Sequence, residues 1–191
     1  ATDPNGPELT QIVQEHYNPI IRKIRNIEKP IVAAVNGVAA GAGASIALAC
    51  DIVVATENAS FIQAFSKIGL IPDSAGTFFL PRLVGMQRAA ALMMTAQPVC
   101  AKDAVDMGMI YKAYSTEDFE KESWKLVSKL AAMPTKGLGL TKRLLNASYS
   151  NDLEQQLTME DECQTIAGES ADFKEGVQAF LEKRKPTFKG E

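Results

Sequence analysis

The chain has 191 residues, of which 46% are apolar and 23% charged, a composition typical of one globular domain with its own core. Its net charge of −3 and pI of about 5.3 argue against nucleic-acid binding. No stretch approaches the roughly 20 apolar residues of a membrane helix. The cysteines (Cys50, Cys100 and Cys163) are widely spaced, which indicates reduced thiols rather than a metal site or a disulfide framework. We therefore expect a cytoplasmic protein with no membrane segment.

Residues 1–7 are a turn-rich start that contains Pro, Gly and Asn. From Glu8 to Ile27, apolar residues recur every three to four positions, which predicts a helix with one buried stripe. Pro19 lies inside this pattern and is expected to kink or split the helix. His16 falls on the apolar stripe, so we expect it to be partly buried.

The rest of the first half alternates between strand and helix patterns, and the second half is mostly helical. The pattern predicts strands over 31–35, 51–55 and 110–114, and helices over 45–50, 75–84, 86–95, 101–107, 116–132, 135–147, 153–167 and 170–185. No internal repeat, low-complexity tract or clear linker interrupts the chain. We therefore predict an α/β core followed by a helical C-terminal region.

The densest signal is the small-residue segment Asn36-Gly-Val-Ala-Ala-Gly-Ala-Gly-Ala-Ser45, which connects a predicted strand to a predicted helix. Small residues let a ligand atom approach the backbone closely. The free N–H groups at a helix start can then hold a phosphate or a developing oxyanion. Tight packing of the helix against the strand requires the same small residues, so the pattern alone leaves both interpretations open.

Two familiar interpretations of this segment have little support. A dinucleotide-binding fingerprint needs a third small residue where Ile46 stands. A nucleophilic Ser45, as in Clp-type proteases, would need a base downstream of the serine, but the only histidine, His16, is upstream.

The second signal is Phe65-Ser-Lys-Ile-Gly-Leu-Ile-Pro-Asp-Ser-Ala-Gly-Thr77, which places Asp73 just before a predicted helix. A carboxylate there can cap the helix, and a cap is a poor base. Apolar neighbours such as Ile71 and Phe78 would instead desolvate the carboxylate and make it a better base. The sequence pattern leaves these two roles open.

Six motifs follow one another along the chain. They are Lys29-Pro-Ile-Val-Ala-Ala-Val-Asn-Gly37, Ala40-Gly-Ala-Gly43, Ala49-Cys-Asp51, Ile71-Pro-Asp-Ser-Ala-Gly-Thr77, Leu80-Pro-Arg82 and Asp172-Phe-Lys-Glu-Gly-Val-Gln-Ala-Phe-Leu-Glu-Lys-Arg-Lys-Pro-Thr-Phe188. Together they resemble the enoyl-CoA hydratase/isomerase (crotonase) superfamily over residues 8–190. The resemblance implies a ββα spiral core of the ClpP/crotonase type over 1–114, with its N-terminal part upstream, and a helical trimerisation region over 115–191.

The resemblance carries over to single residues. It implies that the backbone N–H of Ala42 is an oxyanion-hole donor and that Asp73 is the carboxylate of the family's isomerases. Ser45 and Phe65 stand where hydratases have two glutamates, and neither can act as an acid or base, so hydration is disfavoured. Ala75 stands where the family more often has Gly.

The predicted substrate contacts fall into two groups. The resemblance implies that the acyl thioester is contacted by Ala40, Gly41, Ser45, Phe65 and Pro72. It implies that the CoA adenine or 3′-phosphate lies near Phe180 and Lys183.

The resemblance therefore implies a CoA-thioester isomerase that holds a thioester enolate in an oxyanion hole while Asp73 moves the proton. Within the family, the segments around Gly41 and Asp73 most resemble isomerases of bacterial phenylacetate degradation. Those enzymes rearrange ring-1,2-epoxyphenylacetyl-CoA to the oxepin-CoA and also shift double bonds in enoyl-CoAs. The alternatives are an enoyl-CoA hydratase and a non-catalytic acyl-CoA-binding scaffold of the same fold.

Such an isomerase needs no metal and no redox cofactor, because a proton shuttle and an oxyanion hole suffice, and CoA is part of the substrate. The last two predicted helices carry apolar stripes, which comprise Leu153, Leu157, Phe173, Val177, Phe180 and Leu181. The resemblance implies that such helices pack between subunits, so we expect a homotrimer or a dimer of trimers; the alternative is that they cover the core of their own chain and leave Lys183 in solvent. The resemblance also implies that a further oxyanion-hole amide and part of the CoA cleft come from residues upstream of Ala1. We therefore expect these 191 residues alone to be an incomplete catalyst.

Overall fold

The computed structural model describes residues 8–191, so the turn-rich start predicted for residues 1–7 lies outside the described residues. The strands are β1 (Val32–Val35), β2 (Val38–Ala40), β3 (Ile52–Thr56), β4 (Ser60–Ile62), β5 (Val99–Cys100) and β6 (Lys112–Tyr114). The helices are α1 (Leu9–Ile12), α2 (Asn18–Asn26), α3 (Ala42–Ala49), α4 (Gly76–Val84), α5 (Met86–Thr95), α6 (Ala101–Asp106), α7 (Phe119–Ala131), α8 (Thr135–Ala147), α9 (Leu153–Gly168) and α10 (Ala171–Leu181). The predicted α/β core with a helical C-terminal region is confirmed.

The strands form two small sheets. In the first, β1, β3 and β6 are all parallel, and Ala34 pairs with Val54. In the second, β2 is parallel to β4, with Ala39 opposite Phe61, and β5 closes the edge in the antiparallel sense. Val53 and Ala55 of β3 and Phe61 of β4 are buried in one hydrophobic cluster, as expected for strands that face a common core.

Two of these strands lead directly into the segments that carry the predicted site. Strand β2 runs into α3, and β4 is followed by a 3₁₀ turn over Ala64–Ile68 that approaches α4. Helices α3 and α4 pack against each other. The fold therefore places the small-residue segment and the Asp73 segment close to each other.

The first helical segment contains a widened turn. Between α1 and α2, Val13–Tyr17 is a π turn, and the Asn18 N–H donates to the Val13 carbonyl. Pro19 has no N–H, and its ring crowds the carbonyl four residues earlier, so a wide turn accommodates it. The predicted split at Pro19 is not found, because α1, the π turn and α2 follow one another without a break, and the predicted kink stays a prediction. The predicted burial of His16 is wrong: this side chain is exposed, because the extra residue of the π turn rotates it off the buried stripe.

The described chain divides into two compact units. The first contains the described residues up to Arg25 together with Ile31–Ser123, and the second contains Asn26–Pro30 with Trp124–Glu191. The division between residues 114 and 115, which rested on the resemblance, stays a prediction. Within residues 8–191, none of the helices combines the length and the apolar character that a bilayer crossing requires.

In the second unit, the segment Asn26–Pro30 packs on α8. Gly139 makes this contact close, because a Cβ there would lie 2.6 Å from the Glu28 carbonyl oxygen. The buried Lys142 ammonium donates to the Lys29 carbonyl over 3.0 Å, and Arg143 forms an ion pair with Glu28. The hydrogen bond from Arg143 to Glu28 raises the pKa of that guanidinium above its ordinary value.

The last residues of the chain fold back on α10. The buried Asp172 carboxylate accepts hydrogen bonds from the Lys189 N–H (2.7 Å) and the Gly190 N–H (2.8 Å). The Phe188 ring covers Gly176, where a Cβ would lie 3.5 Å from the ring. We call this arrangement of Asp172, Gly176, Phe188, Lys189 and Gly190 the C-terminal clasp.

A cluster of charges lies beside the C-terminal clasp. Arg184 binds both carboxylate oxygens of Glu175 at 2.6 and 2.9 Å, and the Thr187 N–H donates to Glu175 over 2.8 Å. The Arg184 hydrogen bonds, followed by that from Thr187, lower the pKa of Glu175 to about 2. These bonds fix the path of the chain after α10.

Candidate active site

The small-residue segment forms a sharp turn at the start of α3. Gly41 has φ +54° and ψ −125°, a conformation that essentially only glycine adopts without strain. Its N–H donates to the Ile62 carbonyl over 2.8 Å, and its carbonyl accepts from the Ser45 N–H over 3.1 Å. Ala42 is the first residue of α3, and the first amides of a helix have no partner within that helix. This geometry leaves the Ala42 N–H available to a ligand oxygen at the positive end of the helix dipole.

Phe65 packs on this turn. A Cβ on Gly41 would lie 3.7 Å from Cζ of Phe65, and the Phe65 ring is buried. Ala40 is exposed at the end of β2, where it pairs with Ile62 of β4. The predicted residues Ala40, Gly41 and Phe65 therefore lie together around the start of α3.

Ser45 joins α3 to the Asp73 segment. Its side chain is fully buried, and a Cβ on Gly76 would lie 2.6 Å from Ser45 Oγ and 3.5 Å from Pro72 Cβ. Ser45 Oγ and the neighbouring Gln63 Oε1 are both buried without a hydrogen-bond partner among the described residues. The sequence analysis missed Gln63; the only signal was one amide side chain in an otherwise apolar stretch.

Asp73 lies in a tight turn that enters α4. Its carboxylate is half-buried, and Oδ1 accepts a hydrogen bond from Ser74 Oγ over 2.9 Å. The Gly76 N–H donates to the Asp73 carbonyl over 2.9 Å, and the residues between them, Ser74 and Ala75, have φ +51° and +59°. Helix α4 is capped by Ala75 without a side-chain hydrogen bond, so the Asp73 carboxylate does not cap it.

The charge of Asp73 is not neutralised by a cation. Among residues 8–191, no Lys, Arg or His side chain forms an ion pair with it. Ile68 and Ile71 of the same segment expose apolar side chains, and Ile71 is 80% exposed. A lone carboxylate beside apolar side chains is an arrangement that suits proton transfer to and from carbon.

The Asp51 carboxylate, from the motif Ala49-Cys-Asp51, has a structural role. It accepts from the Arg25 guanidinium over 3.0 Å and from the Ile31 N–H over 2.8 Å. Arg25 also donates to the Ala49 carbonyl over 2.9 Å and lies 5.3 Å from the centre of the Phe79 ring. Asp51 thus ties α2, the start of β1 and the end of α3 together.

The two remaining predicted residues, Phe180 and Lys183, lie in the second unit at the end of α10. Phe180 is 83% exposed and lines a groove of about 620 Å³ with Phe173 and Phe188. Lys183 is exposed and has φ +54°, and it ends α10 with bonds from its own N–H to Phe180 and from the Arg184 N–H to Ala179. This is a Schellman motif with lysine where glycine is usual.

The described residues also form a groove away from the predicted site. A groove of about 400 Å³ between α5 and α6 contains none of the predicted site residues. Within residues 8–191, no group of three or more His, Cys, Asp or Glu side chains is arranged to hold a metal ion.

Comparison with known proteins assigns the family. A family model described as enoyl-CoA hydratase/isomerase matches residues 3–191, so the chain belongs to the enoyl-CoA hydratase/isomerase family. It is 46% identical to the 1,2-epoxyphenylacetyl-CoA isomerase of Escherichia coli, over 98% of this chain and 72% of that protein. It is 45% identical to a Rhodobacter capsulatus protein named probable enoyl-CoA hydratase, over 97% of this chain and 72% of that protein.

Solved structures confirm the fold. The crystal structure of an enoyl-CoA hydratase from Polaromonas sp. JS666 matches with a TM-score of 0.88 and 36% identity, over 95% of this chain and 72% of that one. The predicted crotonase fold is therefore confirmed, and the chain is similar to enzymes of both the isomerase and hydratase kinds.

Proposed function

We propose that this protein is a CoA-thioester isomerase in which Asp73 moves a proton between two carbons of the acyl group. The observation that carries the proposal is the single carboxylate of the site. Asp73 lies in the turn before α4, which packs on α3, and Ser74 Oγ donates to it. The resemblance to the family implies that Ser45 and Phe65 stand at the two hydratase glutamate positions, and neither of them is a carboxylate. One base is enough to remove a proton and return it elsewhere, whereas the family's hydratases use two carboxylates on water.

The proposed reaction begins at the carbon next to the thioester. The C–H bond breaks as Asp73 takes the proton, and the electron pair moves into the thioester to form an enolate. The negative oxygen is stabilised by the Ala42 N–H and by the N-terminal end of α3. Asp73 then returns the proton to the γ-carbon, so the double bond moves and no atom is gained or lost.

The proposed substrate is an unsaturated acyl-CoA or ring-1,2-epoxyphenylacetyl-CoA, which would rearrange to the oxepin-CoA. The 46% identity to the Escherichia coli isomerase supports the aromatic substrate. The exposed side chains of Ile68 and Ile71 offer an apolar surface beside the carboxylate for such an acyl group.

A second candidate is enoyl-CoA hydratase, which the Rhodobacter capsulatus relative favours by its name. The two activities are separated by presenting 3-enoyl-CoA and 2-enoyl-CoA to the protein, separating the products by chromatography and weighing each by mass spectrometry. An isomerase produces a new chromatographic species of unchanged mass, and a hydratase produces a hydroxyacyl-CoA heavier by one water. Predominant hydration would contradict the proposal, and binding without either product would favour the scaffold alternative.

We further propose a homotrimer or dimer of trimers in the cytoplasm, with Phe180 and Lys183 near the CoA adenine or 3′-phosphate. The support is the apolar side chains that α9 and α10 expose: Leu153 is 70% exposed, Leu181 68% and Phe180 83%. Large exposed apolar patches commonly mark interaction surfaces. Sedimentation equilibrium at micromolar concentration tests the assembly, and a monomer there would contradict it.

A further inference from the structure

The turn that carries Asp73 has a backbone that its sequence does not favour. A backbone hydrogen bond joins Asp73 to Gly76, and both central residues, Ser74 and Ala75, have positive φ, as in a type I′ turn. Such positions are normally filled by Gly, Asn or Asp, because a Cβ is strained there. Four of the other five positive-φ positions described in this unit are glycines (Gly41, Gly69, Gly85 and Gly108), and the fifth is Ala96.

Ser74 has a polar contact that glycine could not supply. Its side chain is buried, and its hydroxyl donates to Asp73 Oδ1 over 2.9 Å. A hydrogen bond to a charged carboxylate is stronger than one between neutral groups, and burial keeps water from replacing it. Ala75 is under the same backbone strain but has no hydrogen-bonding side chain, so it serves as an internal control.

The turn is also supported by α3, the helix that begins with the proposed oxyanion donor Ala42. Gly76, the last residue of the turn, lies close to Ser45 on α3 and to Pro72, since a Cβ on Gly76 would be 2.6 Å from Ser45 Oγ and 3.5 Å from Pro72 Cβ. Helix α3 begins at Ala42, so one rigid helix supports both the oxyanion donor and the base. This contact with α3 does not fix the rotation of the Asp73 carboxylate about its side-chain bonds. The hydrogen bond from the Ser74 hydroxyl fixes that rotation.

We propose that Ser74 is a positioning residue for Asp73, a proposal that rests on the proposed isomerase function. Its hydroxyl holds Oδ1 and leaves Oδ2 as the atom that takes the proton and returns it. The strained conformation of Ser74 is retained because it places the hydroxyl on the carboxylate. A carboxylate that rotates freely would meet the substrate carbons in the correct geometry less often and would exchange its proton with water more often.

The test compares Ser74→Ala, Ser74→Gly and Ala75→Gly in the complete chain with 3-enoyl-CoA as the substrate. Both Ser74 variants should lower kcat by about 10- to 100-fold, with KM changed less than about twofold. Ser74→Gly relieves the strain and is therefore expected to fold well. Ala75→Gly should keep kcat within about twofold, since it relieves strain of the same kind and leaves the hydroxyl in place. In D₂O, the Ser74 variants should incorporate more solvent deuterium per product formed, and Ala75→Gly should not.

Several results would overturn the proposal. One is wild-type kcat and deuterium incorporation in Ser74→Gly, and another is an equal loss of kcat in Ala75→Gly. Asp73→Asn, measured alongside, separates failure of the proposed isomerase function from failure of the proposed role of Ser74. If it retains turnover, the isomerase function itself fails; if it loses turnover while both Ser74 variants keep theirs, only the role of Ser74 fails.

Discussion

Both helices of the candidate site begin after a residue with positive φ, but different residue types occupy that position. Helix α3 is entered through Gly41, and α4 is entered through Ser74 and Ala75. At α3 the proposed functional group is a backbone N–H, which needs only the conformation, and glycine supplies that conformation at the lowest cost. At α4 the proposed functional group is a carboxylate, and the serine beside it supplies a hydrogen bond. Ser74 therefore combines a strained backbone with a side-chain contact, whereas Ala75 has the strained backbone alone.

The largest expected effect is on the carboxylate itself. Asp73→Asn preserves the shape of the side chain but removes the base, so isomerase turnover should fall at least ~100-fold. Folding and binding of a CoA ester should change little, as measured by circular dichroism and by calorimetric titration. Ser45→Ala is the control and should keep near-normal turnover. If Ser45→Ala abolishes turnover and Asp73→Asn does not, a serine-based mechanism must be considered again.

Gly41→Ala tests whether the turn before α3 requires glycine. Alanine is strained at φ +54° and ψ −125°, so we expect about 1–3 kcal/mol lower stability and a turn that no longer presents the Ala42 N–H correctly. Turnover should fall at least tenfold, in line with a misplaced oxyanion donor. Gly37→Ala is the matched control, because a Cβ there meets nothing within 4 Å and its φ is ordinary. Equal losses in the two variants would mean that conformation at Gly41 is unimportant.

The contact between the two regions is tested by Gly76→Ala. The new Cβ would lie 2.6 Å from Ser45 Oγ, so urea unfolding should show a loss of about 1–2 kcal/mol. Ser45→Ala removes that oxygen and one unpartnered hydroxyl, and it should be neutral or slightly stabilising on its own. The double variant should recover most of the loss, giving a coupling energy near 1 kcal/mol. Strictly additive losses would contradict the contact.

The smallest expected effect is the change in stability at Lys183, which has positive φ at the end of α10. Lys183→Gly should raise the stability of the protein by about 0.5–1 kcal/mol, because glycine is favoured at the end of a Schellman motif. If the lysine is kept for the CoA phosphate, the same variant should bind a CoA ester more weakly and with less dependence on salt. Lys183→Arg is the control that keeps the charge. Stronger folding with unchanged CoA affinity would assign Lys183 no binding role.

Several long helices could be predicted well from sequence. The bounds of α5 and α8 are as predicted, and α9 differs by one residue at its end, because apolar residues recur along each of these helices. The short strands Val38–Ala40, Ser60–Ile62 and Val99–Cys100 were not predicted. Strands of two or three residues carry too little pattern, and their pairing joins segments that are far apart in the chain.

The motifs of the family resemblance predicted more of the site than the hydrophobic pattern of the sequence did. The resemblance implied that Ala42 and Asp73 act together, and the structure places their segments on two helices that pack against each other. The roles of Ala42, Asp73 and the other site residues stay predictions. Two features depend on three-dimensional packing and were absent from the sequence argument: the contact of Ser45 with Gly76, and the hydrogen bond from Ser74 to Asp73.

The C-terminal clasp has a consequence for how truncated forms of this protein are interpreted. The motif from Asp172 to Phe188 is linear in sequence, but Asp172 meets the residues just beyond the other end of the motif, Lys189 and Gly190. Truncation after Thr187 would remove Phe188, Lys189 and Gly190 and none of the candidate catalytic residues. It would nevertheless leave a buried carboxylate without its two donors and uncover Gly176. A chain that stops at this point should therefore show a folding defect although its candidate catalytic residues are intact.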